Sequence, residues 1–81
     1  MRTPTVTLYT RAGCHLCDEA KRVLVEARRQ VEFAYEERDI DADDELRRLY
    51  NEEVPLVAID GRKAFQYRVD INEFLKRLER R

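Results

Sequence analysis

The chain has no apolar run approaching the roughly 20 residues of a membrane-spanning helix. Its first ten residues read as a strand rather than as a charged start followed by an apolar middle, so no secretory leader is expected. It has no internal repeat, no low-complexity tract and no linker. Net charge is also nearly absent: 16 Lys and Arg stand against 17 Asp and Glu, for a formal charge of -1. With the signs interspersed, no field draws in nucleic acid or an acidic surface. Histidine occurs once and cysteine twice, so this chain alone cannot assemble a four-ligand zinc site from those residues. Glycine and proline number two each, and each falls where an element should end or start. These absences lead us to expect one domain over residues 1–81: a monomer in the cytoplasm, without metal, nucleic acid or membrane partners.

What remains is a chain of short, well-punctuated elements. Thr5–Thr10 is β-branched and aromatic, as a strand should be. Arg11-Ala12-Gly13 ends it. Leu16, Ala20, Val23, Leu24 and Ala27 then recur at helical spacing, with Asp18 and Glu19 in the first turn and Arg28 and Arg29 in the last. Val31, Phe33 and Tyr35 alternate with Glu32, Ala34 and Glu36, which predicts a second strand. The acidic stretch from Asp39 to Asp44 reads as a turn, with Asp41 as cap of a short helix bearing Leu46, Leu49 and Tyr50. Val54–Ile59 is nearly continuous in apolar residues and predicts a central strand, with Pro55 near its start, where a missing N–H is tolerated. Asp60-Gly61 is a strong hairpin signal leading to an edge strand over Lys63–Arg68. Asp70 caps the last helix, Glu73 follows three residues on, and Val69 can staple to Phe74. Ile71, Phe74, Leu75 and Leu78 form that helix's buried stripe. The order β-α-β-α-β-β-α predicts an α/β fold: a four-stranded mixed sheet with helices on both faces.

Chemistry concentrates in Cys14-His15-Leu16-Cys17, the only cysteines of the chain, at the start of the first helix. The spacing lets two sulfurs meet on one helical turn. In a chain where structural disulfides are not expected, the pair reads as a redox dithiol. The reactive species is the thiolate, and the unpaired N–H groups of a helix start favour an anion there. Cys14 is therefore expected to attack, and Cys17, one turn deeper, to resolve. Arg11 and a protonated His15 would favour the Cys14 thiolate, whereas Asp18 and Glu19 would oppose it. A second reading uses the same cysteines to hold a metal or an iron–sulfur cluster between two chains. The four tyrosines Tyr9, Tyr35, Tyr50 and Tyr67 read as packing residues.

The segment Tyr9-Thr10-Arg11-Ala12-Gly13-Cys14-His15-Leu16-Cys17 resembles the active-site segment of glutaredoxins. Val54-Pro55, followed by apolar residues and Asp60-Gly61, is similar to the second signature of that family. The resemblance spans nearly the whole chain. It implies the minimal thioredoxin fold with strand order 2-1-3-4, and a cis Val54–Pro55 peptide facing Cys14. It implies backbone pairing of Val54 with a substrate cysteine. It also implies that Arg11 contacts a glutathione carboxylate and that His15, between the cysteines, tunes the site. The activity implied is thiol–disulfide exchange through Cys14 and Cys17 on protein or glutathione-mixed disulfides. It implies no bound cofactor, with glutathione or a reductase supplying the electrons. One departure is plain: glutaredoxins carry a Gly-Gly pair soon after the hairpin, and here Ala64-Phe65-Gln66-Tyr67-Arg68-Val69-Asp70 stands in that stretch.

Overall fold

The structure, a computed structural model, describes residues 3–80. Residues 1, 2 and 81 of the domain expected over 1–81 lie outside it. Strand β1 (Thr5–Thr10) leads into helix α1 (His15–Gln30) and strand β2 (Ala34–Asp39). A short 3-10 turn (Ile40–Ala42) and helix α2 (Asp44–Tyr50) follow. The hairpin of β3 (Leu56–Ile59) and β4 (Arg62–Gln66) then precedes the final helix α3 (Ile71–Arg80). The sheet order is β2-β1-β3-β4. Strand β1 runs parallel to β2, from Thr5 opposite Ala34 to Thr10 opposite Asp39, and antiparallel to β3, which is antiparallel to β4. A parallel neighbour needs a crossover, and α1 provides it. This is the mixed 2-1-3-4 sheet of the thioredoxin fold.

Strand alternation divides the two faces. Val6 and Leu8 of β1 join Val57 and Ile59 of β3 in one buried cluster with Leu24 of α1 and Phe74 of α3. Phe33 meets Phe74 edge-on at 5.5 Å between ring centroids. Each fully buried Leu or Phe of this kind contributes about 1.5–3 kcal/mol. Tyr9 points to the other face and stacks, tilted, on Tyr50 of α2 at 4.8 Å. Helices therefore lie on both sides, but unequally: α1 and α3 seal one face, and α2 contributes no buried residue to the other. Among the described residues, no helix is long and apolar enough to cross a membrane.

The hairpin follows from its two turn residues. Ile59 pairs with Arg62, which leaves Asp60 and Gly61 as the loop, with φ of 51° and 84°. Both sit in the left-handed region that a type I′ turn demands.

Several details differ from the sequence reading, and the third strand begins at Leu56 rather than Val54 and the fourth at Arg62 rather than Lys63. The second strand begins at Ala34 rather than Val31, because Val31 closes α1 with its N–H donated to the Ala27 carbonyl at 3.0 Å. It extends to Asp39 through residues whose side chains stay exposed. Helix α2 is capped by Asp43, whose Oδ1 accepts from the N–H groups of Glu45 and Leu46, and not by Asp41. Strand β4 ends at Gln66, because Tyr67 leaves it at φ 69°. Tyr67 is also 45% exposed rather than packed.

Candidate functional site

Gly13, at φ 74°, turns the chain out of β1 so that α1 can begin at His15. Cys14 is the N-cap of that helix. Its Sγ accepts from the Cys17 backbone N–H at 3.1 Å, and its carbonyl accepts from Asp18 N–H at 3.2 Å. The cap thus places a sulfur where a serine or aspartate oxygen usually sits, against the positive end of the helix. Cys14 and Cys17 are joined as a disulfide, with Cα atoms 5.2 Å apart. Cys14 is half-buried and Cys17 is 2% exposed, so the first cysteine is the more accessible of the pair. His15 is exposed on the first turn.

The Val54–Pro55 peptide is cis, as the resemblance implies. Leu56 pairs with Tyr9, so Pro55 lies at the end of the sheet from which β1 leads to Cys14. Val54 is half-buried and Pro55 is buried. Tyr67 braces this loop at two points. Its N–H donates to the Pro55 carbonyl at 2.7 Å, and its hydroxyl donates to the Glu52 carbonyl at 2.6 Å. In the stretch where glutaredoxins carry glycines, Tyr67 adopts a left-handed conformation. The cleft between this stretch and Leu16, Ala20 and Val23 of α1 is small, about 80 Å³. Arg68 reaches Glu19 across it at 4.0 Å.

Arg11 is engaged within the protein. Its Nε donates to Asp41 Oδ2 at 3.1 Å and its Nη2 to Asp41 Oδ1 at 2.6 Å. Nη1 donates to the Asn51 carbonyl, and Nη2 also to Asn51 Oδ1, both at 3.0 Å. Hydrogen bonding to Asp41 raises the Arg11 guanidinium above its already high ordinary value, and the same bond holds the Asp41 carboxyl below the usual carboxylate range. The loop that presents Cys14 is thereby tied to the 3-10 turn and to the end of α2. Sequence reasoning missed Asp41 and Asn51 here. Asp41 had a competing local use as a cap, and nothing in the spacing of Asn51 announces an arginine partner.

Fold and site together define a thioredoxin-fold protein of the glutaredoxin-like type, with a Cys-x-x-Cys pair at the mouth of its first helix. The chain belongs to the glutaredoxin-like domain family (DUF836), whose model matches residues 5–79. An uncharacterized protein of Mycobacterium tuberculosis, Rv0508, is 32% identical over 75 residues, which cover 86% of this chain and 77% of that one. The solved structure of protein XcR50 from X. campestris is 32% identical with a TM-score of 0.79, covering 94% of this chain and 97% of that one. Protein Ne2328 from Nitrosomonas europaea is 28% identical with a TM-score of 0.80, covering 95% and 93%. A thioredoxin mutant from Halobacterium salinarum shares the fold at 18% identity and a TM-score of 0.74, over 98% of this chain and 74% of that one.

Proposed function

We propose that the chain is a thiol–disulfide oxidoreductase that reduces protein or glutathione-mixed disulfides through Cys14 and Cys17. One observation carries the reading: a half-buried cysteine caps the first helix, bonded to a buried cysteine one turn deeper. In the reduced protein the helix start favours the Cys14 thiolate. That thiolate attacks one sulfur of a substrate disulfide. A Cys14–substrate bond forms, the substrate S–S bond breaks, and the leaving thiolate takes a proton from water. Cys17, losing its proton, then attacks Cys14 Sγ and expels the second substrate thiolate. Two electrons pass to the substrate, and the Cys14–Cys17 disulfide remains.

An external dithiol or two monothiols such as glutathione reset the pair, or a reductase does so. Val54 supplies backbone groups beside the cis-proline for pairing with an extended substrate segment. His15, exposed between the sulfurs, meets the substrate's flank. Neither a metal nor an organic cofactor enters this electron balance. A reductive direction for this exchange suits a reducing compartment such as the cytoplasm.

Two variants test the mechanism. Cys14→Ser is expected to abolish disulfide reduction. Cys17→Ser is expected to accumulate a mixed disulfide at Cys14, visible by mass spectrometry and released by added thiol. Full turnover by Cys14→Ser would overturn the proposal, as would stoichiometric zinc or cluster absorbance lost in either variant. Turnover coupled to glutathione and its reductase, compared with thioredoxin reductase, identifies the electron donor.

A further inference from the structure

We propose that Asp41 is a specificity-determining residue of the dithiol site. Its carboxylate fills the Arg11 guanidinium as an internal ligand, so the site favours neutral disulfides over disulfides that carry a carboxylate next to the scissile bond. This inference rests on the thiol–disulfide reading above.

Arg11 is the one cation on the segment between β1 and Cys14, three residues before the more accessible cysteine. Three residues span at most about 10 Å of chain, which keeps Arg11 on the same short loop as the sulfur a substrate engages. A guanidinium is a planar fork matched to a carboxylate, and with both prongs free it would recognise one beside the reacting sulfur. Here both prongs are taken. Nε and Nη2 hold the two oxygens of Asp41, and Nη1 and Nη2 hold Asn51. Four of the five guanidinium N–H groups are engaged and Asp41 compensates the charge, so an incoming carboxylate finds no free bidentate edge.

The mask is built into the fold and does not hang on a loose arm. Asp41 sits in the 3-10 turn between β2 and α2, where its own N–H donates to Asp39 Oδ1 at 2.9 Å. The preceding residue, Ile40, is fully buried and anchors the turn. Asn51 follows α2 directly. The remaining charged groups on the helix side do not replace Arg11. Asp18 and Glu19 are anionic, and Arg68 leans toward Glu19 at 4.0 Å with 79% of its side chain exposed. With Asp41 in place, Arg11 offers the mouth of the site no uncompensated charge.

The test compares two small disulfides with the full chain. One is the dicarboxylate dithiodiglycolate and the other is neutral 2-hydroxyethyl disulfide. The readout is the ratio of their kcat/KM values. Asp41→Asn keeps the shape of the side chain and removes its charge. We expect it to shift the ratio toward the dicarboxylate by on the order of fivefold at low salt, with the gain shrinking as salt is added. The Arg11→Gln, Asp41→Asn double variant is expected to lose that gain. Asp41→Ser provides a second uncharged substitution if the Asn variant does not fold. A ratio within twofold of wild type in a folded Asp41 variant overturns the inference, and so does a gain that persists without Arg11. Wild-type protein that reduces neither compound overturns the thiol–disulfide reading itself, a result distinct from an unchanged ratio.

Discussion

Asp41 stays ionised in the native protein at a pH where the unfolded chain has already taken up a proton, because the Arg11 hydrogen bond lowers its pKa. A depressed native value contributes stability that is present above the ordinary carboxylate value of about 3.9 and is lost as the pH falls below it. Urea midpoints of wild type and Asp41→Asn should therefore differ at neutral pH and converge as the pH is lowered through about 3.9. A gap that stays constant over that range would show that Asp41 acts by shape and not by charge. Tyr67 raises the opposite issue at the same scale. Its φ of 69° is one that L side chains rarely adopt, at a cost of roughly 1–2 kcal/mol, against which its bonds to Pro55 and Glu52 act. No sequence signal marks this conformation, since bulky residues avoid it elsewhere. The absence of the glycines was legible, but the left-handed tyrosine in their stretch was not.

Elements whose signals are local were readable from residues alone. Strand β1 spans the predicted Thr5–Thr10, and the Asp60-Gly61 turn needs only its own two residues. Asp70 caps α3 as its position implies, with Oδ2 accepting from the Glu73 N–H at 2.9 Å. Removing that acceptor by Asp70→Ala should cost about 0.5–2 kcal/mol, seen as a lower melting temperature, while Asp70→Asn should retain most of the stability. Equal losses in the two variants would assign the effect to charge rather than to the cap. Elements whose bounds depend on partners were misread. The outer residues Glu36, Glu37 and Arg38 of β2 gain their strand identity by pairing with β1, and their exposed side chains leave no apolar alternation to detect. The acidic run offers short acceptors at Asp39, Asp41 and Asp43, any of which can cap locally. Asp39 caps the 3-10 turn, Asp43 caps α2, and Arg11, thirty residues away from Asp41, removes it from that role. For the same reason the dithiol was legible, since Cys14 and Cys17 lie on one helical turn, whereas the Arg11–Asp41–Asn51 cluster joins three separate segments.

The whole molecule is sealed on one side and lightly covered on the other, which sets where it opens. Leu24, Phe74, Val57 and Leu8 are almost wholly removed from solvent between the sheet and helices α1 and α3. Across the sheet, α2 rests on Tyr9 through Tyr50 while Leu49 remains 48% exposed, so few apolar contacts oppose its departure. Local opening free energy follows such contacts, and a segment with few of them opens without the rest. Amide exchange should therefore be fast in α2, slower in α3, and slowest in β1 and β3, the two central strands. The Arg11 bonds to Asp41 and Asn51 grip α2 at both of its flanks, so Arg11→Gln should accelerate exchange in α2 and leave β3 unchanged. Protection of α2 amides equal to that of β3 would mean that the molecule opens only as one unit. In that case Arg11 could not act as a local tie between the dithiol loop and the helix behind it.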